Sequence, residues 1–222
     1  MGYQFDFGVV WEAWPILLDG TLTALYYTGI SSALALVFGV IIMVARRNEL
    51  PPLRYAAKAF IEIIRNTPFI VQLFFIYFGL PSLGLKLSVS AAAITALTVN
   101  TAAYIAEVLR GGVDGLPYGQ IEAGRALGLN RRQIFFDIVL VPSIRSVYPG
   151  LCSQFVLLML TSSVVASISA PELTYAGQMI EAESFRSFEV YFVVTGIYLA
   201  LSICLSTLLR LLGRVFFSYP MK

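Results

Sequence analysis

The sequence predicts an all-α integral membrane protein with five transmembrane helices and its N-terminus outside. Four observations carry that prediction. Hydrophobic residues make up 58% of the 222 positions and charged residues only 13%, whereas a soluble domain carries about 25% charged residues. Mean hydropathy is +0.80. Uncharged stretches long enough to cross about 30 Å of hydrocarbon as a helix recur along the chain. The basic residues fall on alternate loops, thirteen on one side and two on the other, and the positive-inside rule puts the richer side in the cytoplasm. This composition excludes an ordinary soluble globule, a disordered chain and a nucleic-acid-binding tail. The chain reads as a single transmembrane domain over 1–222.

The segment Tyr3–Leu18, with Trp11, Trp14 and Pro15, reads as an amphipathic stretch lying on the outer surface. No basic stretch precedes a short apolar core and cleavage site, so the first span is expected to remain in the protein. That span covers about 21–45. The second, about 56–80, is the weakest by pattern, because Pro68 kinks it or starts a new helix. The third covers about 87–109, the fourth 146–170 and the fifth 189–212. Small residues at Gly29, Ser32, Ala33, Gly39 and Ala91–Ala93 are expected to let helices approach closely. Cys152 and Cys204 lie in apolar stretches and read as small buried hydrophobes.

The spans limit the chemistry. Thr21–Ala45, Val89–Ala106, Val147–Pro171 and Val190–Leu209 contain no Asp, Glu, Lys or Arg, which weighs against a proton- or ion-coupled carrier built on a titrating group. There is no histidine, no G-x-x-x-x-G-K-[ST] phosphate loop and no TVGYG-like filter. The chain is therefore not read as an enzyme. It is expected to hold no cofactor or metal of its own.

The long segment 111–145 is patterned. Gly111, Gly112, Gly115, Pro117 and Gly119 are expected to break the helix after the third span. Gln120 to Leu127 then reads as a short helix stopped by Gly128, which suits a left-handed C′ position. A second helix opens at Arg131 with Asn130 as its cap, and Ile134, Phe135, Ile138 and Val139 form its apolar stripe. Such a helix–Gly–helix knob on the cytoplasmic face can transmit force from a partner, or can serve packing alone.

Glu122-Ala123-x4-Gly128-x9-Ile138-x-Leu140 resembles the EAA loop of binding-protein-dependent ATP-binding-cassette (ABC) importers. Gly20-Thr21-Leu22-Thr23, Glu62-Ile-Ile-Arg65-Asn-Thr67-Pro68, Gln72-Leu-Phe-Phe-Ile-Tyr77-Phe-Gly79-Leu-Pro81, Ala103-Tyr104-Ile-Ala-Glu107-Val-Leu-Arg110-Gly111-Gly112 and Pro171-Glu172-Leu173 resemble the polar amino acid permease branch, the histidine/glutamate/glutamine/arginine type. Together they cover nearly the whole chain. The resemblance implies a type I importer permease in a bacterial cytoplasmic membrane. Its partners would be a second permease subunit, two ABC ATPase subunits that hold ATP and Mg, an extracytoplasmic substrate-binding protein and a polar amino acid substrate. Glu122, Ala123, Gly124 and Gly128 would couple to the ATPase; Gly124 stands where the family often has a second Ala. The family's Pro after the residue matching Leu140 is displaced by one here, to Pro142, which puts the entry into the fourth span in question.

Substrate-pathway candidates are Asn100, Gln154, Thr161, Ser162, Ser163 and Gln72. Amides and hydroxyls can bind a zwitterion without fixed charge, although such groups also serve helix packing. Many relatives carry a Lys-Asp pair where Leu160 and Thr161 stand here. That neutrality favours a heterodimer over a homodimer. Glu107 and Arg110, three apart on one helix face, could form a gate or an anchor for the loop but read first as an ordinary interfacial pair, and Glu62 with Arg65 likewise. The competing readings are a secondary carrier or channel that works alone and a non-transporting scaffold.

Overall fold

A computed structural model describes residues 4–115, 118–134, 138 and 141–216, and among them every regular element is helical. In chain order these are α1 (Gly8–Glu12), α2 (Trp14–Arg46), α3 (Pro51–Arg65), α4 (Phe69–Phe74), a π turn (Phe75–Gly79), α5 (Leu80–Ser82), α6 (Val89–Asp114), α7 (Tyr118–Ala126), α8 (Arg131–Gln133), α9 (Val141–Thr161), a 3-10 segment (Ser162–Ile168), α10 (Leu173–Ser184) and α11 (Ser187–Phe216). Four helices are long and apolar enough to cross a membrane, Trp14–Arg46, Val89–Asp114, Pro142–Ile168 and Ser187–Phe216; a bent pair makes a fifth crossing if its halves are counted as one.

The first of these helices starts earlier than the sequence suggests. α2 begins at Trp14, with Pro15 in its first turn, where a missing N–H costs nothing. Only α1 remains as a separate surface helix, so the expected interfacial stretch ends at Ala13.

The second expected span is not one continuous helix. The chain bends by 111° between α3 and the run from Phe69 to Ser82, with Pro68 extended at the corner. The cause is local. Pro68 has no N–H to give Ile64, its partner four residues back. α3 also carries Arg54, Lys58 and Glu62 on one exposed stripe and buries Ala57 and Ile61 on the stripe beside it, the pattern of a helix lying along an interface.

α6 starts at Ser88, whose hydroxyl caps the Ala91 amide at 3.2 Å. It runs through Gly111 and Gly112 to Asp114, so those glycines do not break it as expected. Gly112 serves a close approach instead. A Cβ there would lie 2.0 Å from Val147 Cγ1, so the end of α6 and the start of α9 touch backbone to side chain.

The bundle core follows the small residues, but not all those the sequence nominates. A Cβ on Gly39 would lie 2.5 Å from Ile105 Cγ2, and Ala35 packs with Ala102 and Ile105. Gly29 has nothing within 4 Å of that position, and it and Ala33 are exposed. The contact face of α2 is therefore Ala24, Thr28, Ser31, Ala35 and Gly39. In the middle layer Tyr27, Leu73, Ala92, Ala93, Ala96, Leu97, Val165 and Ile168 form one buried cluster. Cys152 is half-buried and Cys204 exposed, so the second cysteine sits on the outside of α11 rather than in the core.

Two departures from α geometry lie in the spanning region. The 3-10 segment is seven residues long, beyond the usual three or four, and such stretches mark hinges or strain. It ends with Ser169 in the left-handed region at φ 59°. The π turn in the run after the elbow is the other departure. The connection before α11, read from sequence as a plain loop, contains the twelve-residue α10.

Candidate coupling loop and translocation pathway

The knob is built by two consecutive capping devices. α7 ends in a Schellman motif: Leu129 N–H donates to Gly124 O at 3.1 Å and Gly128 N–H to Arg125 O at 3.0 Å. This pair of bonds requires a left-handed residue between them, and Gly128 supplies it at φ +76°. Two residues on, Asn130 and Gln133 cap one another. Gln133 N–H donates to Asn130 Oδ1 at 3.0 Å and Asn130 N–H to Gln133 Oε1 at 2.9 Å, a capping box. Gly124 is the contact between the two halves, its missing Cβ facing Ile138 Cδ1 at 2.5 Å, Ile134 Cγ1 at 3.4 Å and Leu129 Cδ1 at 3.7 Å. Phe135, Val139 and Leu140, the rest of the expected stripe and motif, lie outside the described residues. Pro142 falls in the first turn of α9.

This packing leaves Glu122, Ala123, Ala126 and Leu127 outward, with Leu127 79% exposed. A short helix end presenting one carboxylate among small and apolar side chains suits insertion into a partner's groove.

The pathway candidates divide into two groups. Gln72 and Asn100 meet: Asn100 Nδ2 donates to Gln72 Oε1 at 2.9 Å. Gln72 Nε2 in turn donates to Ile64 O at 2.8 Å, Thr67 O at 3.1 Å and Thr67 Oγ1 at 2.8 Å. The side chain thus satisfies the very carbonyl that Pro68 leaves without a donor. Gln72 is spent on holding the elbow, while Asn100 keeps its Oδ1 for another donor. In the second group, Ser162 is fully buried and bonds Met159 O at 2.6 Å, and Ser163 bonds Leu160 O at 2.7 Å. These hydroxyls bond back within their own helix. Thr161 and Gln154 are half-buried, and Thr161 stands where α9 gives way to the 3-10 segment.

Two polar centres were not legible as such. Glu107 is no simple pair with Arg110. It accepts from Arg46, lies 3.4 Å from Arg65 and 3.1 Å from Arg110, while Asp114 takes Arg47 and Arg110 at 2.7 Å each. The cluster joins α2, α3 and α6 at the basic end of the bundle. Arg65 reaches Glu107, whereas Glu62 takes the Asn66 amide at 3.2 Å. At the other end Glu172 is wholly buried. It caps α10 through the Tyr175 amide at 2.9 Å and accepts from Tyr198 at 2.5 Å. Burial pushes its carboxyl above the ordinary carboxylate range, against the lowering effect of those bonds. The only sequence signal was the Pro171-Glu172-Leu173 fragment, which names the residue without its Tyr198 partner. Among the described residues no group of three His, Cys, Asp or Glu could hold a metal.

A helical bundle with four to five membrane-crossing units and a capped knob defines a polytopic membrane protein. Residues 19–217 match the model of the family described as "binding-protein-dependent transport system inner membrane component", and the chain belongs to that family. It is 37% identical over 213 residues to the glutamine transport system permease protein GlnP of Escherichia coli strain K12, covering 95% of this chain and 97% of that protein. It is 33% identical over 217 residues to the octopine transport system permease protein OccM of Rhizobium radiobacter, covering 94% and 89% respectively. Among solved structures, an amino acid ABC transporter crystallised with histidines superposes with a TM-score of 0.89 at 29% identity, covering 96% of this chain and 99% of that one. The MetNI methionine ABC transporter shares the fold, with a TM-score of 0.69 at 24% identity over 90% of this chain and 94% of that one.

Proposed function

We propose that this chain is the permease subunit of an ABC importer that carries a polar amino acid inward across the cytoplasmic membrane. Two ABC ATPase subunits, holding ATP and Mg²⁺, drive it, and an extracytoplasmic binding protein delivers the substrate. The basic end of the bundle faces the cytoplasm and the N-terminus lies outside. The observation that carries the reading is the knob, whose Schellman turn and capping box fix Glu122, Ala123 and Leu127 outward on a rigid stub.

The pathway side chains are neutral amides and hydroxyls, led by Asn100, Thr161 and Gln154, and they suit a zwitterion without a charged side chain. Glutamine, the substrate named for the Escherichia coli relative, is the first to test. Leu160 and Thr161 leave this half without fixed charge. That supports pairing with a related, non-identical permease subunit.

The test is ATP hydrolysis and uptake by the complex reconstituted in proteoliposomes, with its ATPase, any second permease subunit and its binding protein, across a panel of amino acids. Stimulation by one loaded binding protein supports the importer. Uptake driven by an ion gradient in liposomes holding this chain alone would overturn it in favour of a stand-alone carrier.

A further inference from the structure

Three fragments that read separately in the sequence come together on one face of α6. Asn100, Tyr104 and Glu107 are spaced i, i+4, i+7 and so share a stripe. Each grips the α3–α4 elbow. Asn100 holds Gln72 at 2.9 Å, on the far side of the Pro68 corner. The Tyr104 ring lies 5.6 Å from the Arg65 guanidinium, on the near side. Glu107 meets that same guanidinium at 3.4 Å. Gln72 closes the corner itself through Ile64 O and Thr67 O. The elbow is therefore pinned to α6 on both arms and fixed internally.

α6 also leads directly toward the knob. Its last turn is tied to α2 through Arg47 and Asp114 and is in contact with the start of α9 at Gly112. The elbow's second arm carries the π turn at Phe75–Gly79, and its Phe74, Phe75 and Phe78 are exposed in the isolated subunit.

We propose that the Asn100–Tyr104–Glu107 stripe makes the elbow and α6 one moving body, with Arg65 as the positioning residue that transmits knob displacement to the α4 arm. The elbow then needs no contact of its own with the ATPase. This rests on the importer reading above. A single partly exposed ion pair is worth little in stability, so Arg65 matters here for transmission rather than for folding. It engages two of the three stripe positions, Tyr104 and Glu107.

Two measurements test it on the full reconstituted complex. Arg65→Met removes both the Glu107 contact and the Tyr104 contact and leaves Glu107 with Arg46 and Arg110. Uptake per ATP hydrolysed should fall about tenfold, the scale of coupling carried by such contacts, while assembly and basal ATP hydrolysis persist. Arg65→Lys should restore most of it. Spin labels at Lys58→Cys on α3 and Gly111→Cys on α6, with Cys152 and Cys204 replaced by Ser, should keep one distance distribution through nucleotide-free and ATP-trapped states. In Arg65→Met that distribution should broaden or shift with nucleotide.

A label distance that changes with nucleotide in the otherwise wild-type chain overturns the proposal, as does unchanged uptake in Arg65→Met. Loss of assembly in both Arg65→Met and Arg65→Lys would make Arg65 a folding contact and overturn it equally. If the wild-type complex shows no stimulation by any binding protein, the importer reading fails instead, and the two failures are distinct.

Discussion

Gly128 offers a clean separation of backbone from side chain. Its φ is +76°, and nothing lies within 4 Å of where a Cβ would stand. A substitution therefore meets no clash inside the subunit, and its cost is conformational alone. An L-residue forced into the left-handed region loses about 1–2 kcal/mol, which shifts the population of correctly turned loop about five- to thirtyfold. Asn tolerates that region better than Ala, and a β-branched residue tolerates it worst. Stimulated ATP hydrolysis of the reconstituted complex should rank Gly128→Asn above Gly128→Ala above Gly128→Val. Hydrogen exchange should report earlier opening of the Leu129 amide, which donates to Gly124 O, in the same order. If Asn is as damaging as Val, the side chain is colliding with a docked partner and the backbone argument is wrong. If Val behaves as wild type, the Schellman turn does not govern coupling at all.

Gly112→Ala would place a methyl 2.0 Å from Val147 Cγ1 and 3.3 Å from Ser143 O, so it should lower the stability of the assembled complex by about 1–3 kcal/mol, read as a drop in melting temperature. Gly29→Ala has open space and should change that melting temperature negligibly; a large loss would show that a partner subunit packs on this face. Gln72→Leu removes the donors to Ile64 O and Thr67 O, hydrogen bonds worth about 1 kcal/mol each at such partly buried positions, and proteolysis near Thr67 should speed up. Glu172, outside the candidate spans, sets a pH window: a raised folded-state pKa favours folding while the carboxyl is protonated, and that contribution is lost as pH rises from about 4.3 through the folded value. Thermal stability of the wild type should fall across that window relative to Glu172→Gln, and parallel profiles would refute it.

What could be read from the sequence was what is local in the chain. The knob is local: Gly128 and Asn130 act on amides one to five residues away, so their types and spacing suffice. Long apolar runs gave the spanning helices for the same reason, since hydropathy over 20 residues needs no partner. Pro68 announced a corner, but not its 111°, because the angle depends on what pins the arms. The glycines divide along the same line. Gly111 and Gly112 have the same local signal, yet one faces open space and the other faces Val147 from 35 residues away. Gly29 and Gly39 likewise look alike in α2, and only Gly39 meets Ile105.

The ionic cluster shows why such information stays hidden and why it matters. Glu107 and Arg110 are three apart, so a helix-surface pair worth a few tenths of a kcal/mol was the natural reading. Arg46 and Arg65 reach the same carboxylate from 61 and 42 positions away, and no periodicity links them. Once the helices pack, the carboxylate is only 16% exposed and surrounded by three guanidiniums. Its role then changes from ornament on one helix to the point where three helices are joined. A charge removed there takes the carboxylate from Arg46 and Arg65 and leaves Arg110 only Asp114, so Glu107→Gln should disturb α2, α3 and α6 together, whereas Arg65→Met loosens only the elbow's α3 arm and leaves Asn100 on Gln72. The difference between those two variants separates the energy that holds the bundle from the energy that moves it.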